Sequence, residues 1–213
     1  MDPNAYKVAD HEPGSPEWLN LRRNHLGASE AGTLIGAGFL NWNQLIAEKA
    51  DPGPRRESAA MFRGNVLEPA CMEMARLKGY PANPRLHGTW RNDNYPWWSV
   101  NHDGISDDGV VIEAKSTAMR DKGRGWGRGG TAQIPLGYLA QVTVQCGIIG
   151  ADRWVMPVIA TKVKKGRERG TVESDFSIAL YKGRFDAKLF AELNVKAEQF
   201  MQDLDAYRSF MLD

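Results

Sequence analysis

Three residues in the middle of the chain, Asp103, Glu113 and Lys115, are of types that act together on phosphodiesters. Carboxylates are the oxygen ligands that hard divalent cations such as Mg²⁺ prefer. A cation held by them lowers the pKa of a water molecule and neutralises the charge that grows on phosphorus. A lysine adds a compact positive charge near the attacking water or the scissile phosphate, and on a strand Lys115 projects from the same face as Glu113. The triplet therefore indicates metal-assisted phosphodiester hydrolysis.

The spacing of the triplet predicts one β-hairpin over VNHDGISDDGVVIEAKS, Val100 to Ser116. Two β-prone runs flank an Asp-Gly pair, which is a strong hairpin signal. A three-residue loop, 107–109, with Gly109 in the left-handed conformation sets a register that places Asp103 opposite Glu113. Directly opposed residues have Cβ atoms about 4.5–5.5 Å apart, and like charges there repel. The hairpin then needs a cation between the carboxylates or a shared proton.

The same residues also fit a solvated hairpin whose acids and lysine are ordinary surface charges. D-x(n)-E-x-K is a loose pattern, so the hairpin by itself leaves both interpretations open.

The composition is that of an ordinary globular protein. The 213 residues are 42% hydrophobic and 25% charged, which predicts a single domain over residues 1–213. The two cysteines, Cys71 and Cys146, are too few for a disulfide framework and fit helical apolar patterns, so we expect buried free thiols. No apolar run reaches the length of a membrane helix and the N-terminus lacks a signal-peptide pattern, so we expect a cytoplasmic protein with no membrane partner.

The net charge of +1 conceals a basic segment. Residues 117–170 carry ten Lys and Arg against three Asp and Glu, a net charge of +7, and the two flanks together carry −6. Positive charge directly after an acidic triplet suits the steering of a polyanion, although solvated surface residues are the alternative. Within this segment Arg128, in a Gly- and Arg-rich loop, and Lys164 and Lys165, in the predicted hairpin loop KVKKGRERG, are candidate DNA contacts.

Near the N-terminus, the pattern predicts a helix from Pro16, a break at residues 25–27, and a second helix with Ser29 as its N-cap. A helix N-terminus with a serine hydroxyl, preceded by Arg22, can bind a phosphate group. A capping serine beside surface arginines is the alternative.

Two further helices carry polar residues beside an apolar stripe. In Ala59 to Lys78, Glu68 lies at the margin of the buried face, and Pro69 predicts a kink or a new first turn. In Leu136 to Ile149, Gln141 and Gln145 are four residues apart on one face, and buried amides require partners.

Two strands, Arg153 to Ala160 and Thr171 to Tyr181, and a long amphipathic helix complete the predicted fold. The apolar positions of that helix, at a period of about 3.6 residues, are Phe185, Leu189, Leu193, Phe200, Leu204 and Met211. The tryptophans at 90, 97 and 98 fit either core packing or base stacking.

Four stretches in this order resemble the lambda-phage-type exonucleases, the YqaJ-like viral recombinase family within the PD-(D/E)XK nuclease superfamily. They are WLNLRRNHLGASE, GNVLE, HDGISDDGVVIEAKS and GYLAQVTVQ, and the resemblance covers about Pro16 to Ala160. The D-x(n)-E-x-K string alone is weak, but its occurrence between an upstream G-x-x-x-E helix and a downstream Y-x-x-Q helix is specific. Asn101 and His102 depart from the serine and small residue or proline that commonly precede the first hairpin acid.

The resemblance implies a role for each matching residue. Asp103 and Glu113 are then metal ligands with the Ala114 carbonyl as a further one, and Lys115 positions or activates the attacking water. Glu68 supports a second metal position, and Gln141 is the active-site glutamine. Arg22 and Ser29 hold a terminal 5′-phosphate, and Asp93 falls near another family acid.

The resemblance also implies an α/β (α+β) fold with a PD-(D/E)XK restriction-endonuclease-like core, a mixed β-sheet flanked by helices. The implied activity is digestion of one strand of duplex DNA from its 5′ end, with two Mg²⁺ ions per active site and Mn²⁺ as a substitute. A ring-shaped homotrimer and a single-strand annealing protein as partner are further implications. The alternatives are a nuclease of the same core with other polarity or endonuclease action, and a catalytically silent DNA-binding scaffold.

Overall fold

The computed structural model describes residues 1–9, 14–52, 58–118, 124–165 and 172–211, with the backbone alone for residues 9, 163–165 and 172–174. The helices are α1 (Pro16–Asn24), α2 (Ala31–Leu34), α3 (Trp42–Ala50), α4 (Ala59–Leu77), α5 (Leu136–Ile149) and α6 (Ala187–Phe210). The strands are β1 (Ala5–Ala9), β2 (Thr89–Asn92), β3 (Gly104–Ile105), β4 (Val111–Ile112), β5 (Lys115–Ala118), β6 (Arg153–Lys165) and β7 (Val172–Arg184). None of the described helices is long and apolar enough to cross a membrane.

Strand β6 organises the main sheet. β4 and β5 both pair with it in parallel, at Val111↔Trp154 and Lys115↔Val158, while β7 pairs with it antiparallel along its whole length. β3 extends the sheet beyond β4, and β1 and β2 form a separate two-stranded sheet. The expected mixed sheet flanked by helices is confirmed.

The hairpin has the predicted loop and register. β3 and β4 pair Gly104 with Ile112 and Ile105 with Val111. The Ser106 N–H donates to the Val110 carbonyl at 3.0 Å, and Gly109 adopts the left-handed φ of 76° that closes the three-residue loop. Continued by one residue, this register places Asp103 opposite Glu113.

The core forms between the sheet and the last two helices. α5 has the predicted bounds and buries most of its residues, and α6 contributes the fully buried Leu193, Phe200 and Leu204. Trp90 and Trp98 are buried here too, so core packing, not base stacking, explains them. Cys71 and Cys146 are the expected buried free thiols.

Several predicted boundaries were wrong. The N-terminal residues, for which the sequence analysis predicted no strand, form β1, and their partner β2 lies more than 80 residues away in the sequence. α4 continues through Pro69, so a new first turn, one of the two alternatives predicted for this proline, does not begin there. β6 extends to Lys165, so Lys164 and Lys165 belong to the strand and not to a hairpin loop. In α6 the buried face includes Phe190 and Ala197, whereas Met211 is exposed beyond the helix end.

Candidate active site

The two hairpin acids lie just beyond the paired ends of β3 and β4. Glu113 is buried, with 4% of its surface exposed, and Asp103 is half-buried. The Asp103 carboxylate accepts a hydrogen bond of 2.6 Å from the Ala114 N–H. Because Glu113 donates its own N–H to Val155 of β6 at 3.1 Å, both acids are fixed by the sheet backbone.

Glu113 receives donors on both carboxylate oxygens. Oε1 accepts from Lys115 Nζ at 2.5 Å and from Gln141 Nε2 at 2.5 Å. Oε2 accepts from Gln145 Nε2 at 2.7 Å, and the same amide nitrogen donates to the Asn101 carbonyl at 2.8 Å. The two glutamines on one face of α5 thus find the partners that buried amides require.

Burial and neighbouring charges shift the pKa of Asp103, Glu68 and Lys115. Burial and the neighbouring Glu113 carboxylate raise the pKa of Asp103 well above its ordinary value, and Glu68 adds to the effect. Partial burial and Glu113 likewise raise the pKa of Glu68, which α4 carries to this group although the residue as a whole is exposed. Burial opposes the charge on Lys115, but the Glu113 and Asp103 carboxylates outweigh it and raise the pKa of this lysine. The group therefore keeps a protonated lysine and more carboxylates than one lysine can neutralise.

One cleft of about 180 Å³ contains both the acids Asp103 and Glu113 and the candidate phosphate anchor, Arg22 and Ser29. Its lining includes Asp103, Glu113 and Gln141 together with Arg22 and Ser29. Arg22 lies over the Trp18 ring, with the guanidinium carbon 4.9 Å from the ring centroid, and its Nη2 is 3.0 Å from Glu30 Oε1.

Ser29 is exposed and lines this cleft, but it is not an N-cap as predicted. It lies inside a 3₁₀ turn over Ala28–Glu30, and Glu30 precedes α2. The phosphate-site argument from a capping serine is therefore wrong, although the hydroxyl remains in the cleft.

A family model, that of the YqaJ-like viral recombinase domain, matches residues 17–152, which include the acids, Lys115, the two glutamines, Arg22 and Ser29. The chain belongs to the YqaJ-like viral recombinase family. No curated protein matches it.

Solved structures with this family's fold include exonucleases. LHK-Exo, an alkaline exonuclease from Laribacter hongkongensis, in its complex with dAMP superposes with a TM-score of 0.66 at 18% identity, covering 92% of this chain and 96% of that one. A phage-related exonuclease from Haemophilus somnus 129PT superposes with a TM-score of 0.58 at 10% identity, covering 91% and 99%. The YqaJ-like domain of this chain thus has the fold of these exonucleases.

Arg128 and Asp93, both named from the sequence, do not line this cleft. Arg128 is exposed and lines a different groove with Leu180 and Lys182 of β7. Asp93 is exposed in the turn after β2, where its N–H donates to the Asn4 carbonyl at 3.3 Å. The side chains of Lys164 and Lys165 lie outside the described residues.

The donor set fits a hard divalent cation by its chemistry. Asp103, Glu113 and Glu68 offer carboxylate oxygens, and burial together with the Glu113 carboxylate raises the pKa of Asp103 and of Glu68, an effect that a bound cation would oppose. Within the described part of the chain, no group of three or more His, Cys, Asp and Glu side chains is already arranged to hold a metal ion. The residues that would hold one are these three acids, with the half-buried Ala114 beside them.

Three residues in or directly behind this cleft had no role predicted from the sequence: Gln145, Glu30 and Lys49. Gln145 shares Glu113 with Gln141, and its position four residues after Gln141 was the available signal. Glu30 and Lys49 contact Arg22 from behind, and no local pattern marks Lys49 because its contacts depend on how α3 packs against α1.

Proposed function

We propose that this protein is a Mg²⁺-dependent exonuclease that digests one strand of duplex DNA from its 5′ end and leaves a 3′ single-stranded overhang for recombination by strand annealing. The observation that carries the proposal is the shared cleft: Asp103 and Glu113 line the same cavity as Arg22 and Ser29. An enzyme that starts at a DNA end gains from an anchor for the terminal phosphate beside its hydrolytic acids, whereas an endonuclease has no terminal phosphate to hold.

The residues that line the cleft and those that contact Glu113 have different roles in the chemistry. Lys115 is protonated, so it can stabilise charge that develops on the scissile phosphate and cannot act as a base in that state. Gln141 and Gln145 hold the Glu113 carboxylate through neutral N–H donors, which fixes its position without cancelling its charge. Bound Mg²⁺ would lower the pKa of the attacking water and offset the charge on phosphorus.

At the other end of the cleft, Arg22 supplies a guanidinium and Ser29 a hydroxyl, both of which donate hydrogen bonds to phosphate oxygens. The net charge of +7 in residues 117–170 favours association with any DNA, independent of its sequence. Two metal ions per site, Mn²⁺ as a substitute, a ring-shaped homotrimer and an annealing partner stay predictions of the family resemblance.

The test uses a blunt DNA duplex labelled on one strand, either at its 5′ or at its 3′ end, incubated with Mg²⁺ or with EDTA. We expect the 5′ label to be released at once as a mononucleotide and the 3′-labelled strand to shorten progressively, in Mg²⁺ only. Release of the 3′ label first would mean the opposite polarity, and internal fragments would mean an endonuclease. A duplex that is bound but not cut in Mg²⁺ would mean a DNA-binding scaffold. Glu113→Ala is the control for a contaminating nuclease.

A second substrate pair tests the anchor. Wild-type protein should prefer 5′-phosphorylated over 5′-hydroxyl duplexes, and Arg22→Ala should remove most of that preference. If the variant keeps the full preference, the anchor lies elsewhere.

A further inference from the structure

An ion cluster lies directly behind Arg22. It consists of Arg22 on α1, Glu30 in the 3₁₀ turn and Lys49 at the end of α3. Glu30 Oε1 is 3.0 Å from Arg22 Nη2, and Glu30 Oε2 is 2.9 Å from Lys49 Nζ. The side chain of Lys49 is only 4% exposed and that of Glu30 14%, whereas that of Arg22 keeps 32% exposed. The cluster thus runs from a buried cation, through a carboxylate, to a cation that lines the cleft.

The Lys49 ammonium has an acceptor for each of its three N–H groups. Besides Glu30, it donates to the carbonyl of Arg22 at 2.6 Å and to that of His25 at 2.8 Å. An ammonium has three N–H donors, so these three contacts satisfy it. Burial lowers the pKa of Lys49, and the adjacent Glu30 carboxylate works against that shift. Lys49 therefore holds both the backbone at the end of α1 and the carboxylate that faces Arg22.

Glu30 meets only donors. Its oxygens accept from Arg22 Nη2, from Lys49 Nζ and from the Gly27 N–H, the last at 2.8 Å. A glutamine in its place would have to turn its NH₂ group toward one of these donors. The carboxylate is thus required at this position by hydrogen-bond geometry as well as by charge.

The orientation of Arg22 is fixed from three directions. The Trp18 ring packs against the guanidinium, Glu30 holds Nη2, and Gly27 leaves the room it needs, since a Cβ at residue 27 would lie 3.2 Å from Nη1. Glu30 alone would neutralise Arg22, which would then attract an anion weakly. Lys49 offsets the charge of Glu30, because two cations and one carboxylate leave the cluster with a net charge of +1.

We propose that Glu30 and Lys49 are positioning residues for the phosphate anchor: Glu30 orients the Arg22 guanidinium, and Lys49 offsets the charge of Glu30 so that Arg22 can bind a 5′-phosphate. The inference rests on the proposed function, because it deepens the role of Arg22. The competing explanation is that the cluster only pins α1 to α3, which would change stability and leave end preference alone.

The experiment measures kcat/KM on 5′-phosphorylated and 5′-hydroxyl blunt duplexes, and takes the ratio as the end preference. The variants are Glu30→Gln and Lys49→Met, each made alone and in an Arg22→Ala background, with melting curves for all of them. Glu73→Gln is the matched control, because it also removes a carboxylate from an ion pair, the exposed 2.7 Å pair between Glu73 and Arg76. This pair lies on α4, which holds no residue of the cluster.

Both single variants should lower the end preference on the order of tenfold, through KM on the phosphorylated duplex, since a hydrogen bond to a charged group is worth about that factor. In the Arg22→Ala background neither substitution should lower the preference further, because both act through Arg22. Glu73→Gln should leave the preference unchanged. If Lys49→Met does not fold, Glu30→Gln decides the inference alone.

Two results would overturn the inference. If Glu30→Gln raises the preference, Glu30 is only a competing charge and does not orient Arg22. If Arg22→Ala removes the preference while both single variants keep it, the cluster is structural. A wild-type protein without any preference for 5′-phosphate would instead refute the proposed anchor itself, so the two failures are distinguishable.

Discussion

Asp103→Asn tests the electrostatics of the acid group. Burial, Glu113 and Glu68 all raise the pKa of Asp103, so ionised Asp103 destabilises the metal-free fold. Asparagine removes the charge, keeps the shape, and retains a carbonyl oxygen that can accept the 2.6 Å hydrogen bond from the Ala114 N–H. The metal-free variant should therefore melt at a higher temperature than wild type at pH 8, and it should have lost nuclease activity.

The size of the effect follows from linkage. Each unit by which the pKa of Asp103 in the folded state exceeds its unfolded value costs about 1.4 kcal/mol of stability at a pH above both. A ligand that binds only the native state adds RT ln(1 + [L]/Kd), so a tenfold excess of Mg²⁺ over its Kd adds about 1.4 kcal/mol. For a chain of this length that corresponds to roughly 3–6 °C in Tm. The wild-type protein should show this rise, and the variant should show a smaller one.

The sign of the pH dependence is a further check. Because its pKa is raised in the folded state, Asp103 binds a proton more readily there than in the unfolded chain. Its contribution to stability is then complete below the ordinary value of 3.8 and is lost as the pH rises through the folded-state pKa. Metal-free wild type should lose stability on going from acidic to neutral pH in this window. Asp103→Asn should flatten that loss, with a remainder from Glu68, whose pKa shifts in the same direction.

The assay is thermal melting in EDTA and in Mg²⁺, at several pH values and at one fixed protein concentration, since the melting of an oligomer depends on concentration. Asp93→Asn is the control, because this exposed acid in the turn after β2 does not line the cleft and should show neither effect. The reasoning is refuted if metal-free Asp103→Asn melts below wild type and responds to Mg²⁺ as strongly.

Three further predictions concern other residues of the site and its surroundings. Lys115→Ala and Glu113→Ala should each lower kcat by on the order of 10²–10³ while DNA binding in a mobility-shift assay persists; wild-type rates at saturating Mg²⁺ would contradict the assignment. Gln145→Met, which removes the 2.7 Å bond to Glu113, should lower kcat more than it raises KM. An equal change in the control Asn24→Ala, at an exposed residue at the end of α1, would show that the effect is not specific. Arg128→Ala should weaken binding of DNA at low salt and reduce its salt dependence without changing the 5′-phosphate preference, because Arg128 lines the separate groove at β7; a lost preference would move the anchor to that loop.

The hairpin and α5 could be predicted because their determinants are local. An Asp-Gly pair with Gly109 in the left-handed conformation sets the loop, and the two-residue period of a strand then sets the register that opposes Asp103 and Glu113. Gln141 and Gln145 follow from helical spacing in the same way. Their shared partner could not be predicted, since it depends on where α5 crosses the sheet.

The features that were missed or wrong depend on contacts between distant segments. β1 needs β2 as its partner, and Lys49 becomes a site residue only because α3 packs against the end of α1. Ser29 shows the limit of a local rule. It has the residue type of an N-cap, but the N-cap of the turn over Ala28–Glu30 is Gly27, two residues before Ser29, and the Gly27 N–H donates to the Glu30 side chain.

The two halves of the cleft carry opposite excess charges, and this constrains how a DNA end can bind. Around Glu113, two neutral amides and a single ammonium satisfy the carboxylate, so the acid group keeps an excess of negative charge. Burial, together with this charge, raises the pKa of Asp103 and Glu68. Behind Arg22, two cations meet one carboxylate and leave an excess of positive charge. A phosphate without a cation is therefore attracted to Arg22 and repelled by the acids, and a phosphate accompanied by Mg²⁺ is accepted at the acids. A DNA end whose terminal phosphate lies at Arg22 and whose scissile phosphate, accompanied by Mg²⁺, lies at Asp103 and Glu113 satisfies both halves.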